Sequence, residues 1–387
     1  MRVLHLYAGN LFGGIETLLV TISRCRGLCP NVDSHFALCF EGRLSAELGA
    51  AKVPVYMLGA ARVSRPWTVW RARARLQRLL ADLRPDLAVC HSAWPHALFA
   101  PVVRAAGVTL VYWAHDVHSG WHWLEYFGRQ TVPQFAIANS RFTQAALANV
   151  FPDVPSEVVR CPVCPQPSMD RESTRQQVRA ELGTPNDATV ILQVSRMERY
   201  KGHAHLIEAL SRLADRGGWR CWIAGGNQRP SEKRYLSQLR ARADALGIGE
   251  RVRFLGQRAD VPRLLAAADI FCQPNTGPEP FGIAFVEALY AGLPVVTTKI
   301  GGAVEIVDDE CGVLVAPGDV SSLEVALRGL IFDRTSRLRL GNAGPGRAAR
   351  LCDPHKQLCK LQELFARVLS DRGYHEHVNC RVEVPFG

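Results

Sequence analysis

Glu279-Pro280-Phe281-Gly282-Ile283-Ala284-Phe285-Val286-Glu287 sets two acids around an apolar run, at a separation close to two helical turns. From Gly282 to Ala291 the only charged residue is Glu287, so a helix opening near Phe281 would be apolar nearly all round and buried. A buried carboxylate is costly unless hydrogen-bonded. Two neighbouring ribose hydroxyls would match the two oxygens of Glu287. Pro280 fits the first turn of such a helix, whose free N–H groups at Phe281, Gly282 and Ile283 would point at a ligand. Helix ends of this kind bind anions and hydroxyls, and Glu279 stands just outside. The spacing alone also fits a solvated Glu279 and a Glu287 bonded to nearby backbone.

A second constellation complements the first. Ser195-Arg196-Met197-Glu198-Arg199-Tyr200-Lys201-Gly202 lies between a strand-like and a helix-like run. A departing diphosphate gathers negative charge as its bond to carbon breaks, and fixed Arg and Lys donors stabilise that charge more than they stabilise the ground state. Arg196 and Lys201 would supply them; an ordinary basic turn is the plainer alternative. Gly225, in Ala224-Gly225-Gly226-Asn227, allows close approach of backbone to a phosphate. Arg258 follows another strand-like run, where it could stack on a base. Nearer the N-terminus, Gly13-Gly14-Ile15-Glu16 makes a permissive strand-to-helix turn with helix amides beyond it. His115 ends an apolar run and is followed by Asp116, His118, Trp121, His122 and Trp123. These histidines and Asp116 could hold a metal, although their spacing matches no established ligand pattern. Trp121 and Trp123 could stack on a ligand or close a small core.

The Glu279-to-Glu287 string resembles the E-x7-E motif of retaining glycosyltransferases of family 4. Arg196 and Lys201 match that family's R-x-x-x-x-K pair in type and spacing, with Arg199 an unmatched extra. Gly13-Gly14-Ile15-Glu16 resembles its glycine-rich acceptor-side loop. The resemblance covers most of the chain. It implies a GT-B fold, with two Rossmann-like domains facing each other across a cleft, and transfer from a nucleoside-diphosphate sugar, in the first place a UDP-sugar. It implies His115 against the transferred sugar, Arg196 and Lys201 on the diphosphate, and Glu287 on the ribose. Glu279 with the amides of Phe281, Gly282 and Ile283 would take the sugar hydroxyls. Gly13, Gly14, Gly225 and Arg258 would also meet the donor, and Glu16, Trp121 and Trp123 the acceptor. Neither a metal nor a cofactor is implied. The acceptor would be a saccharide, a lipid-linked saccharide or a small molecule. The alternatives are an epimerase or phosphorylase on the same scaffold, or a non-catalytic sugar-nucleotide binder; the binder should have lost part of the charged set, whereas Arg196, Lys201, Glu279 and Glu287 all remain.

Apolar runs of strand length alternate with helical stretches, as in parallel α/β sheets. Strands are expected at 3–8, 34–40, 53–58, 87–91, 109–114 and 135–138, and again at 189–194, 219–224, 251–255, 270–273 and 294–298. Two Rossmann-like units follow: 1–165, and 166–365 after the proline-rich run Cys161-Pro162-Val163-Cys164-Pro165-Gln166-Pro167. Ligands of such sheets bind at the carboxyl ends of the strands, where these loops fall. Residues 366–387 form a tail that could cross back to the first unit, although Val378 to Gly387 has no clear helical pattern.

With 387 residues, 48% hydrophobic and 21% charged, the composition is that of a soluble globular protein. No apolar stretch reaches the roughly 18 residues needed to span a bilayer, and the first residues enter a strand-like run without a signal peptide's pattern, so a cytoplasmic location is expected. Twelve scattered cysteines read as reduced, buried small side chains. The pair Cys161 and Cys164 lacks the context of a zinc or redox site. The net charge of +10 includes six arginines and no acid between Arg62 and Arg78, interspersed with Trp67 and Trp70. That face could rest on an anionic membrane, guide an acidic acceptor, or simply be solvated. No nucleic-acid-binding module accompanies the charge.

Overall fold

The computed structural model describes residues 1–9, 12–165, 169–226 and 229–379, without the side chains of 371–379. Expectations touching Asn10, Leu11, Gln166, Pro167, Asn227 and the tail beyond 379 lie outside these residues. The chain divides into two units: residues 1–162 together with the C-terminal helix, and residues 163–353.

The first unit holds seven strands: β1 (Arg2–Tyr7), β2 (Asp33–Leu38), β3 (Val55–Met57), β4 (Leu87–His91), β5 (Thr109–Ala114), β6 (Phe135–Ala138) and β7 (Ser156–Val158). They form one parallel sheet in the order β3-β2-β1-β4-β5-β6-β7. Strands β4 and β5 are buried along their whole length, which is why they read as continuous apolar runs rather than as alternations. Leu4, Leu6, Ala88 and Cys90 pack with Leu76, Leu80, Phe99 and Val103 of two crossover helices. Register places His5 beside Phe36 and Val89, and His91 beside Trp113. Because side chains alternate with period two, His5, His91, Trp113 and His115 share one face.

The arginine-rich segment forms the helix Pro66–Leu83, with Ala72, Leu76 and Leu80 buried at four-residue spacing. Trp67 and Trp70 are on its exposed side, Trp70 at 72%. The helix Pro354–Asn379 belongs to this unit. It buries Leu358, Leu361 and Phe365, which border His5, Ile22 and Cys29, and Lys360 pairs with Glu157 at 3.0 Å. Residues 354–365, expected in the second unit, therefore pack with the first. Asp353-Pro354 explains the change of path, since proline cannot continue the helix Arg334–Cys352 but suits the start of a new one.

The second unit holds β8 (Thr189–Val194), β9 (Trp219–Ala224), β10 (Val252–Gly256), β11 (Ile270–Gln273), β12 (Val295–Thr298) and β13 (Gly312–Val315). They form a parallel sheet in the order β10-β9-β8-β11-β12-β13. Ile191, Ile223, Ile270 and Val296 pack on Leu206, Leu210, Leu239 and Leu327 from the flanking helices. Strand order reverses between β8 and β11 in this sheet and between β1 and β4 in the first. Those are the switch points, where loops from the carboxyl ends of strands diverge and leave room for a ligand.

Candidate functional site

In the second unit two loops meet at the switch point. The first leaves β8 and closes in a short 3-10 turn, Arg199–Lys201, ahead of the helix His203–Ser211. The second leaves β11 and runs through Asn275 to Glu279, whose backbone bridges in parallel to Gly301. Lys201 Nζ donates to Glu279 Oε2, with only 12% of either side chain exposed. Gln273 Nε2 and Asn275 Nδ2 reach the same oxygen at 3.2 and 3.3 Å. Three donors thus hold one carboxylate oxygen, while Glu279 Oε1 bonds to no described residue. Thr297 and Thr298 donate to the carbonyls of Gln273 and Asn275, fixing the backbone beneath. Burial alone would lower the pKa of Lys201, but the Glu279 carboxylate and Tyr200 together outweigh it and the net shift is upward. Lys201 is therefore a fixed cation, with one of its donors committed to Glu279.

The apolar run forms the helix Ile283–Tyr290, capped by Gly282 at φ 103°. It opens two residues later than its sequence predicts, because Gly282 takes a left-handed conformation that ends the loop, and Phe281 is buried at 3%. The amides of Phe281, Gly282 and Ile283 donate to no described residue. Phe285, Val286, Ala288 and Leu289 fill the core side, and Glu287 is half-buried. Its carboxylate has no partner among the described residues, and burial pushes its pKa from 4.5 to about 7.

Arg196 pairs with Glu198 of its own loop at 2.9 Å and approaches Glu232, on the helix Pro230–Ala245, at 3.9 Å. Gly225 follows β9, and a Cβ there would collide with the Ser195 carbonyl; close packing of two loops already requires this glycine. Arg258 is expected to be available for stacking on a base, but its bonds to described residues run to acids. It forks onto Asp260 with two bonds of 2.7 Å and reaches Glu181 at 3.2 Å. Sequence spacing also passes over Gln273 and Asn275, because lone amides in an apolar strand and the loop after it carry no pattern. Tyr200, whose ring centroid lies 4.8 Å from the Lys201 ammonium, could have been noticed beside Lys201.

In the first unit Gly13 caps the helix Gly14–Arg24. Its N–H donates to Glu16 Oε2 at 2.8 Å, and the Tyr7 hydroxyl donates to Glu16 Oε1 at 2.7 Å. Glu16, expected to face an acceptor, is buried at 3% and spends its carboxylate on this cap. The Gly13 amide, expected to meet the donor, is spent with it, whereas Gly14 N–H meets no described residue. His115 follows β5, and its Nε2 lies 3.0 Å from His91 Nδ1. His118 bonds Glu125 and the Tyr112 hydroxyl, both at 3.0 Å, which turns it into the core and away from the metal cluster considered for this segment. Trp121 is 93% exposed, and Trp123, Tyr126 and Phe127 are exposed beside it. None of these four aromatics closes a core.

Residues 12–166 match the family described as Glycosyltransferase Family 4, and residues 174–347 the family described as Glycosyl transferases group 1. With the two parallel-sheet units and the switch-point loops, these matches place the chain among the GT-B glycosyltransferases of the family 4 type. The solved structure of Anabaena HepE in complex with UDP and glucose is similar at 25% identity, covering 95% of this chain and 100% of that one, with a TM-score of 0.83. The lipopolysaccharide core biosynthesis glycosyltransferase LpsE of Rhizobium meliloti is 35% identical over 43% of this chain and 46% of its own length. A GDP-mannose-dependent phosphatidylinositol monomannoside mannosyltransferase of Mycobacterium tuberculosis is 29% identical over 70% and 73%. The chain spans about half the length of the first curated relatives it matches.

Proposed function

We propose that the chain transfers a sugar, with retention of anomeric configuration, from a nucleoside-diphosphate sugar to an acceptor hydroxyl. One observation carries the reading. A buried cation, Lys201, lies against a carboxylate held by three donors, while a second carboxyl, Glu287, has its pKa raised to about 7 by burial, without a partner among the described residues. Glu287 matches a ribose diol, and the open oxygen of Glu279 with the amides of Phe281, Gly282 and Ile283 matches sugar hydroxyls. Lys201 keeps donors beyond the one used on Glu279, and Arg196 can exchange Glu198 for phosphate oxygens. His115 meets the transferred sugar.

As the bond from anomeric carbon to phosphate oxygen breaks, charge develops on the diphosphate beside the two cations. The acceptor oxygen bonds to the same face of that carbon, and its proton passes to the departing phosphate. No metal is needed in this scheme, because Arg196 and Lys201 meet the charge. UDP is the first-choice nucleotide, supported by the HepE complex with UDP and glucose; the mycobacterial relative's dependence on GDP-mannose makes GDP the alternative. A lipid-linked saccharide is the favoured acceptor, supported by the exposed aromatics at Trp121 and Trp123 and by the lipopolysaccharide core and the phosphatidylinositol monomannoside in the relatives' names. The exposed side of the helix Pro66–Leu83 would rest on the cytoplasmic leaflet. Among the described residues no helix is long and apolar enough to cross a membrane.

A thermal-shift screen of UDP, GDP and ADP sugars tests the donor. Stabilisation by UDP-sugars above the others is expected, and no response to any of them overturns the reading. An epimerase would alter the sugar without an acceptor, and a phosphorylase would require inorganic phosphate. A pure binder would take UDP yet transfer nothing across a broad acceptor panel.

A further inference from the structure

Three histidines in the first unit form a continuous hydrogen-bonded line across strands β1 and β4 and the residue that follows β5. His5 Nδ1 lies 2.9 Å from His91 Nε2, and His91 Nδ1 lies 3.0 Å from His115 Nε2. Both pairs of ring centroids are 5.2 Å apart. Each centroid separation exceeds its N···N distance by about two ring radii, so the contacts run along the ring planes, as an N–H···N bond requires. The rings are 1%, 0% and 6% exposed in that order, and burial holds all three neutral. A neutral imidazole carries one proton, on either nitrogen.

Two contacts and three single-proton rings leave only two arrangements in which neither contact is empty or doubly protonated. In one, every ring is protonated on Nδ1, and His115 Nδ1–H points outward. In the other, every ring is protonated on Nε2, and His115 presents a lone pair. The far end decides between them, because His5 Nε2 is buried without a partner. An orphaned buried N–H is rarer than an under-satisfied acceptor, which favours the lone pair at His5 Nε2 and therefore protons on Nδ1 throughout. His115 Nδ1 bonds to no described residue and, unlike His5 Nε2, is not a sealed atom.

We infer that His5 and His91 are positioning residues that lock the tautomer of His115, so that it offers Nδ1–H as a hydrogen-bond donor to a ligand oxygen and does not act as a base. The inference rests on the proposed role of His115 at the sugar. Its structural half can be read without any substrate, from the imidazole nitrogens of the full chain labelled with 15N-histidine, each signal assigned by substitution. The expected spectrum has the proton on Nδ1 of His5, His91 and His115; a proton on Nε2 of His115 overturns the inference. His5→Gln and His5→Glu then test transmission with side chains of equal size. The glutamine amide can still donate to His91 and should keep the His115 tautomer, whereas the glutamate, examined above its burial-raised pKa where the carboxylate is ionised, accepts only and should drive the His115 proton to Nε2. Losing that one donor bond should cut kcat/KM about tenfold relative to the Gln variant. Equal losses in the two variants, with the tautomer unmoved, contradict transmission; if the Glu variant does not fold, the native spectrum decides. A His115→Ala variant with full turnover would refute the sugar contact while leaving the tautomer result intact.

Discussion

Glu287→Gln should make the unliganded protein more stable and a poorer nucleotide binder, with the stability gain appearing only as pH rises. In the folded chain burial raises this carboxyl from 4.5 to about 7, with no described partner to offset the cost. Between those values the folded state holds the proton more tightly than the unfolded state does, so native stability falls as pH rises and the penalty is complete above about pH 7. At roughly 1.4 kcal/mol per pH unit the full penalty is about 3 kcal/mol. Glu287 keeps some contact with water, which screens the charge, so about 2 kcal/mol is the working figure. Glutamine has the same shape and no charge to desolvate. For a unit of this size 1 kcal/mol moves Tm by about 2–4 °C, so the variant should melt roughly 4–8 °C above the native chain at pH 8 and alongside it at pH 4.5. Ribose hydroxyls donating to both oxygens favour the ionised form, so nucleotide binding near pH 6.5 should release protons in the native chain and none in the variant. Differential scanning fluorimetry across that range, and calorimetry in two buffers of different ionisation enthalpy, read both effects. A variant no more stable than native at pH 8, or stabilised equally at pH 4.5, refutes the reasoning.

Other consequences follow from the same geometry. Lys201→Ala should cost about 10²–10³ in turnover, the usual loss for one donor that stabilises developing charge. Lys201→Met combined with Glu279→Gln removes both charges together, so that neither is left buried alone; this double variant should fold, as circular dichroism would show, and remain inactive, and near-normal turnover from it sinks the assignment. Trp121→Ala should leave Tm within about 1–2 °C of native, because the side chain is 93% exposed, and should raise KM for a lipid-linked acceptor; an unchanged KM removes Trp121 from the acceptor site. Arg71→Glu with Arg78→Glu, both on the exposed side of their helix, should abolish sedimentation with anionic liposomes at low salt, and salt alone should weaken the native interaction. Equal sedimentation of native and variant chains would mean that this face does not contact the membrane.

The sheets were legible because a parallel strand covered on both faces has to read as an apolar run, as Leu87-Ala88-Val89-Cys90-His91 and Thr189-Val190-Ile191-Leu192-Gln193-Val194 do. Two edge strands escaped notice. Ser156–Val158 has three half-buried residues with a glutamate at its centre, and Gly312–Val315 begins on a glycine, so neither makes a run. The acids and cations were legible one by one, from their type and from the loops that carry them. Their pairing was not: Lys201 and Glu279 are 78 positions apart, and no local period reports a contact brought about by two strands of a sheet. The same reason hid Gln273 and Asn275, whose amides matter only because β11 aims them at Glu279 Oε2. Glu16 misled because a capping glutamate and a ligand-binding glutamate look alike after Gly-Gly; the Tyr7 hydroxyl bond that separates them depends on three-dimensional placement. The three-histidine line was equally invisible, with His5 and His91 on two strands and His115 just past the end of a third, brought into line only by register.

The most direct test is calorimetric titration of UDP into the full native chain and into folded Arg196→Ala and Lys201→Ala variants. Native binding at one site per chain, weakened at least tenfold in each variant, is the predicted result; no binding of UDP, or equal affinity in all three proteins, would contradict a nucleotide-sugar site at Lys201 and Glu279.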